Sequence, residues 1–131
     1  MTVDAIVTKE TENKLNEILL ITRLRPPYQG HLAFPGGFVD YGEDPVDAVN
    51  RELKEETNLE AITEPELITV RGDPARDPRK HIVTIAYYVQ VDKHAQVKAG
   101  DDAETANWYD LKAIYNDSEK YKLAFDHRSI L

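Results

Sequence analysis

The sequence feature that most constrains the fold is the stretch GGFVDYGEDPVDAVNRELKEETNL, which spans residues 36–59. A double glycine opens it, and three glutamates, Glu52, Glu55 and Glu56, follow within five positions of one another. Residues 40–60 hold eight acids and two bases, a net charge of −6, whereas the whole chain has a net charge of −8. Most of the net negative charge of the chain therefore lies in this one stretch.

The same stretch predicts a helix over residues 45–57. Pro45 follows two acids, and proline in the first turn and acids beside it both favour a helix start. Asn58 is predicted to end the helix, because asparagine is second only to glycine in tolerating the left-handed cap conformation. When the helix is projected at about 100° per residue, the three glutamates lie at the border of its apolar stripe. The solvated face lies opposite that stripe.

Two interpretations of the three glutamates are open. Glutamate is a good helix former and is common on wet helix faces. However, like charges three and four positions apart each cost about 0.2–0.5 kcal/mol, and acids late in a helix oppose its dipole. A divalent cation offsets both effects, because hard cations take carboxylate oxygens as ligands. Arg51, one turn before Glu55, is predicted to hold that carboxylate in place.

Outside this stretch, apolar and β-branched runs predict strands with few helices. The strands are predicted at residues 2–8, 17–24, 67–71, 81–91 and 107–111. The first two are expected to pair, Pro35-Gly36-Gly37 is expected to form a turn, and residues 123–131 (LAFDHRSIL) are expected to form a helix. Mixed strands with few helices favour an α+β domain, arranged as an α/β/α sandwich.

Composition narrows the classes of function. The 131 residues fit one globular domain, and no run of about 18 apolar residues predicts a membrane span. The chain has no cysteine, which fits a reducing compartment, so a cytoplasmic location is expected. A net charge of −8 argues against nucleic acid as a partner, because such proteins normally carry a basic face.

With these residues in view, the stretch resembles the signature of the Nudix hydrolases. That signature is Gly, five residues, Glu, seven residues, then Arg-Glu-aliphatic-any-Glu-Glu-any-Gly-aliphatic. The matching residues are Gly37, Glu43, Arg51, Glu52, Leu53, Glu55, Glu56 and Leu59. Asn58 stands where the signature has glycine, and it also accepts the left-handed conformation. The resemblance implies a single domain over residues 1–131, a Nudix-type α/β/α sandwich with a mixed β-sheet.

The resemblance also implies a reaction and its site residues. Nudix enzymes hydrolyse a nucleoside diphosphate linked to another moiety, using Mg²⁺ or Mn²⁺. The implied metal ligands are Glu52, Glu55, Glu56 and the Gly36 carbonyl, with Arg51 as a further catalytic residue and with Gly37 and Glu43 as structural support. The general base is expected on this helix or on a late loop, where Glu104 is the candidate beside Asp101 and Asp102. The alternative is that this late loop is merely an acidic surface loop.

Two further stretches bear on the substrate. GDPARDPRKH (residues 72–81) and LAFDH (residues 123–127) resemble compact ADP-ribose pyrophosphatases and their relatives, which include a regulator that binds ADP-ribose. Arg76 and Arg79 are candidates for binding phosphate or the terminal ribose. The alternative is that Arg79 pairs with Asp77 and braces the loop.

The aromatic and histidine residues are more ambiguous. Tyr28 and Phe34, with Tyr41, are candidates for stacking on adenine, although aromatic residues at such sites are more often part of the core. His81 and His127 are interpreted as structural or hydrogen-bonding residues.

The expected function is hydrolysis of ADP-ribose to AMP and ribose 5-phosphate. The alternatives are another nucleotide sugar, a dinucleotide or a (d)NTP as substrate, or a non-catalytic module that senses ADP-ribose. Intact glutamates favour catalysis, and a regulator would need a DNA-binding domain for which 131 residues are not expected to leave room. A homodimer is left open.

Overall fold

The computed structural model describes residues 1–10, 16–100 and 103–131, without the side chains of Glu10 and Glu104. These residues form eight strands and three helices. The strands are β1 (Thr2–Ile6), β2 (Thr8–Glu10), β3 (Asn16–Arg23), β4 (Leu32–Ala33), β5 (Gly36–Phe38), β6 (Glu66–Arg71), β7 (Thr84–Tyr88) and β8 (Ala103–Asp110). The helices are α1 (Pro45–Thr57), α2 (Leu111–Asn116) and α3 (His127–Ile130).

The strands form two four-stranded sheets. The first has the order β5-β1-β7-β6, with β1 and β7 parallel and the other neighbours antiparallel. In the second, β3 pairs antiparallel with β2, β4 and β8. The predicted strand at residues 2–8 is therefore divided between the sheets at Val7, and only its last part pairs with β3, where Thr8 lies opposite Ile18.

Alternate residues of the central strands face two separate apolar layers. On one side, Val3 and Leu19 pack with Val49 and Leu53 of α1. On the other side lies a second buried set, which consists of Ile6, Ile18, Leu20, Phe34, Ala86 and Ile114. Leu111 of α2 and Ile130 of α3 pack against this set. Because side chains alternate across a strand, one sheet layer can bury both faces. The predicted α/β/α sandwich is confirmed.

Helix α1 begins and ends where the sequence predicts. The Asp44 side chain accepts a hydrogen bond of 2.9 Å from the backbone N–H of Val46, which satisfies one of the unpaired donors at the helix start. Asn58 adopts the left-handed conformation (φ 66°), and its N–H donates to the Lys54 carbonyl. Val49 and Leu53 are fully buried, each stabilising the fold by about 1.5–3 kcal/mol. A charged residue at Leu53 would break this packing.

Two further strand predictions had wrong limits, one helix was not predicted, and the two glycines of the turn expected at Pro35-Gly36-Gly37 lie in β5. The apolar run at residues 81–91 contributes only Thr84–Tyr88 to the sheet. Ile82 and Val89 are also apolar and buried, but they lie outside the strand. An apolar run therefore indicates which residues are buried, not where the strand begins and ends. The strand predicted at residues 107–111 is the end of the longer β8. The short helix α2 follows directly, capped by the Asp110 side chain, which accepts from the Lys112 N–H at 2.9 Å.

The predicted terminal helix at residues 123–131 is wrong for its first half. Ala124 donates its N–H to the Leu32 carbonyl at 2.8 Å, so this segment runs beside β4. Phe125 has a left-handed backbone (φ 51°), which is incompatible with a continuous helix. Only His127–Ile130 is helical.

None of the helices in the described residues is both long enough and apolar enough to cross a bilayer. The cytoplasmic location stays a prediction.

Candidate active site

Two adjacent glycines bring the backbone of β5 against the carboxylates of α1. A Cβ atom on Gly37 would lie 2.6 Å from the Glu52 carboxylate, and one on Gly36 would lie 2.1 Å from the Val3 carbonyl oxygen. The Gly36 N–H donates to Glu56 Oε2 at 3.2 Å. Only residues without a side chain permit this approach, so the glycine pair and the acidic helix form one structural unit.

Arg51 is the hub of the acidic cluster. Its Nε and Nη2 atoms donate to the two carboxylate oxygens of Glu43 at 2.8 and 2.9 Å. Its Nη1 atom donates to Glu52 at 2.8 Å and to Glu55 at 3.3 Å, while Nη2 also donates to the Phe38 carbonyl at 3.0 Å. The expected contact with Glu55 is present, but the two-point contact with Glu43 is shorter.

This arrangement changes the pKa of both partners. The hydrogen bonds from Arg51, and a weaker one from the Asp40 N–H, lower the pKa of Glu43 to about 2. Hydrogen bonding to Glu43, and then to Glu52, raises the pKa of Arg51. Glu43 is therefore ionised at neutral pH and forms an ion pair with Arg51 that joins the helix to the loop before it.

The three predicted metal ligands differ in exposure. Glu56 is 5% exposed, whereas the side chains of Glu52 and Glu55 are 14% and 42% exposed. Among the side chains that the structure describes, no three carboxylates or histidines converge closely enough to hold an ion as they stand. Instead, the Arg51 guanidinium supplies the positive charge that links Glu52 and Glu55.

The donor chemistry of this cluster nevertheless fits a divalent metal. Carboxylates and a backbone carbonyl are the oxygen ligands that Mg²⁺ and Mn²⁺ prefer. Glu52 touches Gly37 and Glu56 touches Gly36, so two of the three acids border the backbone of the predicted carbonyl ligand. The third, Glu55, shares a single arginine nitrogen with Glu52.

Beside the glycine pair lies a cavity of about 210 Å³, called here the central cavity. It is lined by Thr2, Asp4, Ile21, Arg23, Leu24, Arg25, Pro26, Ala33, Phe34, Gly36, Gly37, Phe38, Glu56, Arg76, Asp77, Arg79, Phe125 and His127. The cavity thus brings Glu56, Gly36 and Gly37 together with the predicted substrate residues Arg76 and Arg79.

Arg76 is buried and has its own carboxylate. Its Nε and Nη2 atoms donate to the two oxygens of Asp126 at 3.0 and 2.8 Å, and its side chain is only 3% exposed. Burial alone would lower the pKa of Arg76, but the hydrogen bonds and charge of Asp126 outweigh it and raise that pKa. The sequence did not signal this partner, which lies fifty positions away.

Arg79 pairs with Asp77, as the bracing interpretation expects. Its Nε and Nη2 atoms donate to the carboxylate at 3.0 and 2.7 Å, and its N–H donates to Oδ1 at 2.9 Å. Burial would raise the pKa of Asp77, but these hydrogen bonds outweigh it and lower that pKa. The Arg79 side chain is still 37% exposed and lies 5.1 Å from the Phe38 ring centroid and 5.6 Å from that of Phe125.

The predicted aromatic residues occupy different places. Phe34 is buried and stacks on His127 with centroids 4.5 Å apart, so it is a core residue on the cavity wall. Tyr28 packs edge-on against Phe125 at 5.0 Å and is not among the lining residues of the cavity. Tyr41 is fully exposed.

Two further aromatic rings, those of Phe38 and Phe125, line the cavity beside the arginines, and neither was a predicted site residue. Three guanidinium groups lie near the Phe125 ring centroid, those of Arg23 at 5.0 Å, Arg79 at 5.6 Å and Arg76 at 5.8 Å. Phe38 follows the glycine pair directly, which is a signal that could have found it. Phe125 lies in the LAFDH stretch, but the resemblance of that stretch does not single out its ring, whose position depends on the left-handed turn before α3.

The candidate general base is only partly described. Glu104 lies in β8 rather than in the preceding loop, and its side chain, like Asp101 and Asp102, lies outside the described residues. The chain leading into β8 contacts the end of α1, because the Gly100 N–H donates to the Glu56 carbonyl at 3.1 Å.

A family model described as NUDIX domain matches residues 1–131. The chain belongs to the Nudix family. This match confirms the predicted family and fold. The predicted enzyme class, a Nudix pyrophosphohydrolase, is confirmed as well. Nudix ADP-ribose pyrophosphatases depend on divalent metals as a group.

The relatives of this chain include both an enzyme and a transcriptional repressor. The chain is 43% identical over 129 residues to an ADP-ribose pyrophosphatase of Methanocaldococcus jannaschii, covering 98% of this chain and 69% of that protein. It is 32% identical to the ADPR responsive transcriptional repressor NtrR of Acinetobacter baylyi, covering all of this chain and 51% of the repressor. The solved NUDIX domain of Shewanella oneidensis NrtR, complexed with ADP ribose, superposes with a TM-score of 0.87 at 26% identity, covering 98% of this chain and 81% of that one.

Proposed function

We propose that this Nudix domain hydrolyses the pyrophosphate bond of ADP-ribose, forming AMP and ribose 5-phosphate. The observation that carries the proposal is the central cavity, which joins the acidic helix to the loop with Arg76 and Arg79. One wall offers carboxylate and backbone oxygen for a cation, and the other offers guanidinium groups and aromatic rings for a nucleotide.

The size of the cavity sets how much substrate it holds. Pockets that enclose a whole small-molecule ligand usually measure about 300–1,000 Å³, and the central cavity measures about 210 Å³. We therefore expect the cavity to hold only part of the substrate, with the remainder lying on the surface beside it. Phe38, at 43% exposed, is placed to contact that remainder.

Glu52, Glu55, Glu56 and the Gly36 carbonyl would hold Mg²⁺ or Mn²⁺, which supplies charge neutralisation and a more acidic water when bound. The reaction adds water across the bridging bond: the water oxygen bonds to one phosphorus, the bridging P–O bond breaks, and a proton leaves the water. Either a carboxylate of α1 or Glu104 accepts that proton. Arg51 acts on the carboxylates, because its donors are directed to Glu43, Glu52 and Glu55.

The second candidate function is an ADP-ribose sensor. The observation that favours it is the likeness to NtrR, a repressor described as responsive to ADPR, which covers all of this chain. A sensor would bind ADP-ribose through the same cavity without releasing products. The acidic excess on α1 favours hydrolysis, because binding alone does not need it.

The deciding experiment incubates the protein and Mg²⁺ with ADP-ribose, ADP-glucose and dGTP, and separates the products by chromatography. We expect AMP and ribose 5-phosphate from ADP-ribose, with the highest kcat/KM of the three substrates. Binding of ADP-ribose without products would establish the sensor instead. A preference for dGTP would defeat the ADP-ribose assignment and leave the Nudix chemistry standing.

A further inference from the structure

A buried histidine and a buried aspartate meet on the wall of the central cavity. His127 is 2% exposed and Asp4 is 7% exposed, and both line the cavity. The His127 Nε2 atom lies 3.5 Å from Asp4 Oδ1, and Asp4 Oδ2 accepts from the Thr84 hydroxyl at 2.7 Å. The metal chemistry proposed above uses neither residue.

One hydrogen bond to the His127 ring fixes which of its nitrogens carries the proton. The Phe34 N–H donates to His127 Nδ1 at 3.2 Å, so Nδ1 acts as an acceptor and carries no proton. A ring in that state carries its proton on Nε2, which faces Asp4. The ring also stacks on Phe34 with an interplanar angle of 21°, so its plane is set by packing as well.

These contacts tie down each residue of the segment that leads to the glycine pair. The Phe34 N–H is held by His127, the Pro35 carbonyl accepts from the Ala5 N–H at 2.8 Å, and the Gly36 N–H donates to Glu56 at 3.2 Å. Gly36 also lies opposite Asp4 in the ladder, so tightly that a Cβ atom there would lie 2.8 Å from Asp4 Oδ1.

We propose that His127 is a positioning residue, which sets the Phe34–Gly36 backbone relative to Glu56 through its hydrogen bond to Phe34 and its contact with Asp4. This inference rests on the proposed function only in placing the metal beside Gly36 and Glu56. His127 is expected to affect turnover and metal affinity, and not the binding affinity for the nucleotide. Displacements of about 1 Å in such a site cost up to about a hundredfold in rate.

Two substitutions separate positioning from packing. His127→Phe keeps an aromatic ring on Phe34 but leaves the Phe34 N–H without its acceptor. His127→Asn loses the ring but places a carbonyl oxygen where Nδ1 lies, so it restores the acceptor. The matched control is His94→Asn, because His94 is exposed and does not line the cavity.

For the substrate that the wild type turns over, we expect His127→Phe to lower kcat about ten- to a hundredfold with KM changed less than about threefold. His127→Asn should regain most of that loss, although it removes more packing. Equal kcat in the wild type and His127→Phe, or a lower kcat in His127→Asn than in His127→Phe, would overturn the inference.

Two measurements without substrate keep this test separate from the proposed function. Long-range ¹H–¹⁵N correlation spectra of the wild type should show the His127 proton on Nε2, and a proton on Nδ1 would overturn the inference. Electron paramagnetic resonance should show Mn²⁺ bound more weakly by His127→Phe than by His127→Asn and the control. If ADP-ribose is not hydrolysed, the proposed function fails while these readouts still decide the role of His127.

Discussion

The acidic end of α1 and the loop at residues 72–80 are both dense in charge, yet they use arginine in opposite ways. Around Arg51, the described residues place four carboxylates within 3.6 Å of one guanidinium. In the loop, Arg76 and Arg79 each have a carboxylate of their own at 2.8 and 2.7 Å. The first region keeps an excess of negative charge, and the second is locally neutral.

The charges of the two regions are therefore expected to have different roles, one in structure and one in metal binding. A buried one-to-one pair with two-point contacts fixes geometry, and breaking it leaves an uncompensated charge that costs about 3–5 kcal/mol. A cluster with more acids than bases is unstable on its own and is stabilised by an added cation. We therefore expect substitutions on α1 to act mainly on catalysis and metal binding, and those in the loop to act on stability and selectivity.

The largest effect is expected from Glu56→Gln. The amide keeps the size of the side chain and an acceptor for the Gly36 N–H, but removes a ligand charge. We expect kcat to fall by more than about a hundredfold, beyond the range for residues that merely support metal ligands, with Tm little changed. The matched control, Glu60→Gln, removes an exposed glutamate paired with Lys54 and should keep wild-type kcat. Wild-type turnover in Glu56→Gln would remove Glu56 from the proposed ligand set.

A smaller loss is expected from Arg51→Lys. Lysine keeps the positive charge but not the planar fork that holds Glu43 at two points and also contacts Glu52. We expect kcat to fall about ten- to a hundredfold with little change in KM, as for other residues that orient metal ligands. A rise in KM alone, growing with the charge of the substrate, would instead place Arg51 in contact with phosphate.

The loop predicts a selective effect for Arg79→Ala. Loss of one charge-assisted hydrogen bond to the ligand should lower kcat/KM for ADP-ribose about tenfold or more, with a smaller change for ADP-glucose. Because the variant also leaves the buried Asp77 carboxylate unpaired, its Tm should fall as well. Asp77→Ala is the matched comparison. If both variants lose the same Tm and slow equally on every substrate, Arg79 only braces its loop.

The smallest effect concerns pH and the Glu43–Arg51 pair. The pKa of Glu43 is lowered from 4.5 to about 2, so the stability that it contributes is present above its ordinary pKa and is lost as pH falls toward 2. Wild type should therefore have a higher Tm than Glu43→Gln at about pH 6, and the gap should close as the solution is acidified. Thermal unfolding followed by circular dichroism measures this gap, and a gap independent of pH would show that ionised Glu43 contributes no stability.

The sequence predicted what is decided locally. The limits of α1 follow from Asp44, Pro45 and Asn58, whose preferences act within a few residues of the chain. The division of the first strand at Val7 could not be predicted, because an apolar run is compatible with either sheet. The left-handed Phe125 likewise has no local signal, so the terminal helix was predicted too long.

For the candidate site, the acids of α1 and the contact between Arg51 and Glu55 were predictable, whereas the long-range pairs on the cavity wall were not. Arg76–Asp126 joins residues fifty positions apart, and His127–Asp4 spans almost the whole chain. Such pairs exist only after β1 and the C-terminal segment pack on the same cavity. The cation partners and ring contacts of that cavity are thus properties of the tertiary fold, whereas the Nudix signature in the sequence is enough to predict Glu52, Glu55 and Glu56 as ligands.

The most direct test is Mn²⁺ binding to the protein without substrate, measured by electron paramagnetic resonance for wild type, Glu56→Gln and Asp77→Asn. Both variants remove one negative charge from the wall of the central cavity, one from the region with excess acid and one from a neutral pair. We expect Glu56→Gln to bind Mn²⁺ at least about tenfold more weakly and Asp77→Asn to bind it like the wild type. Equal affinity in wild type and Glu56→Gln, or an equal loss in both variants, would contradict the assignment of the acidic excess to a metal.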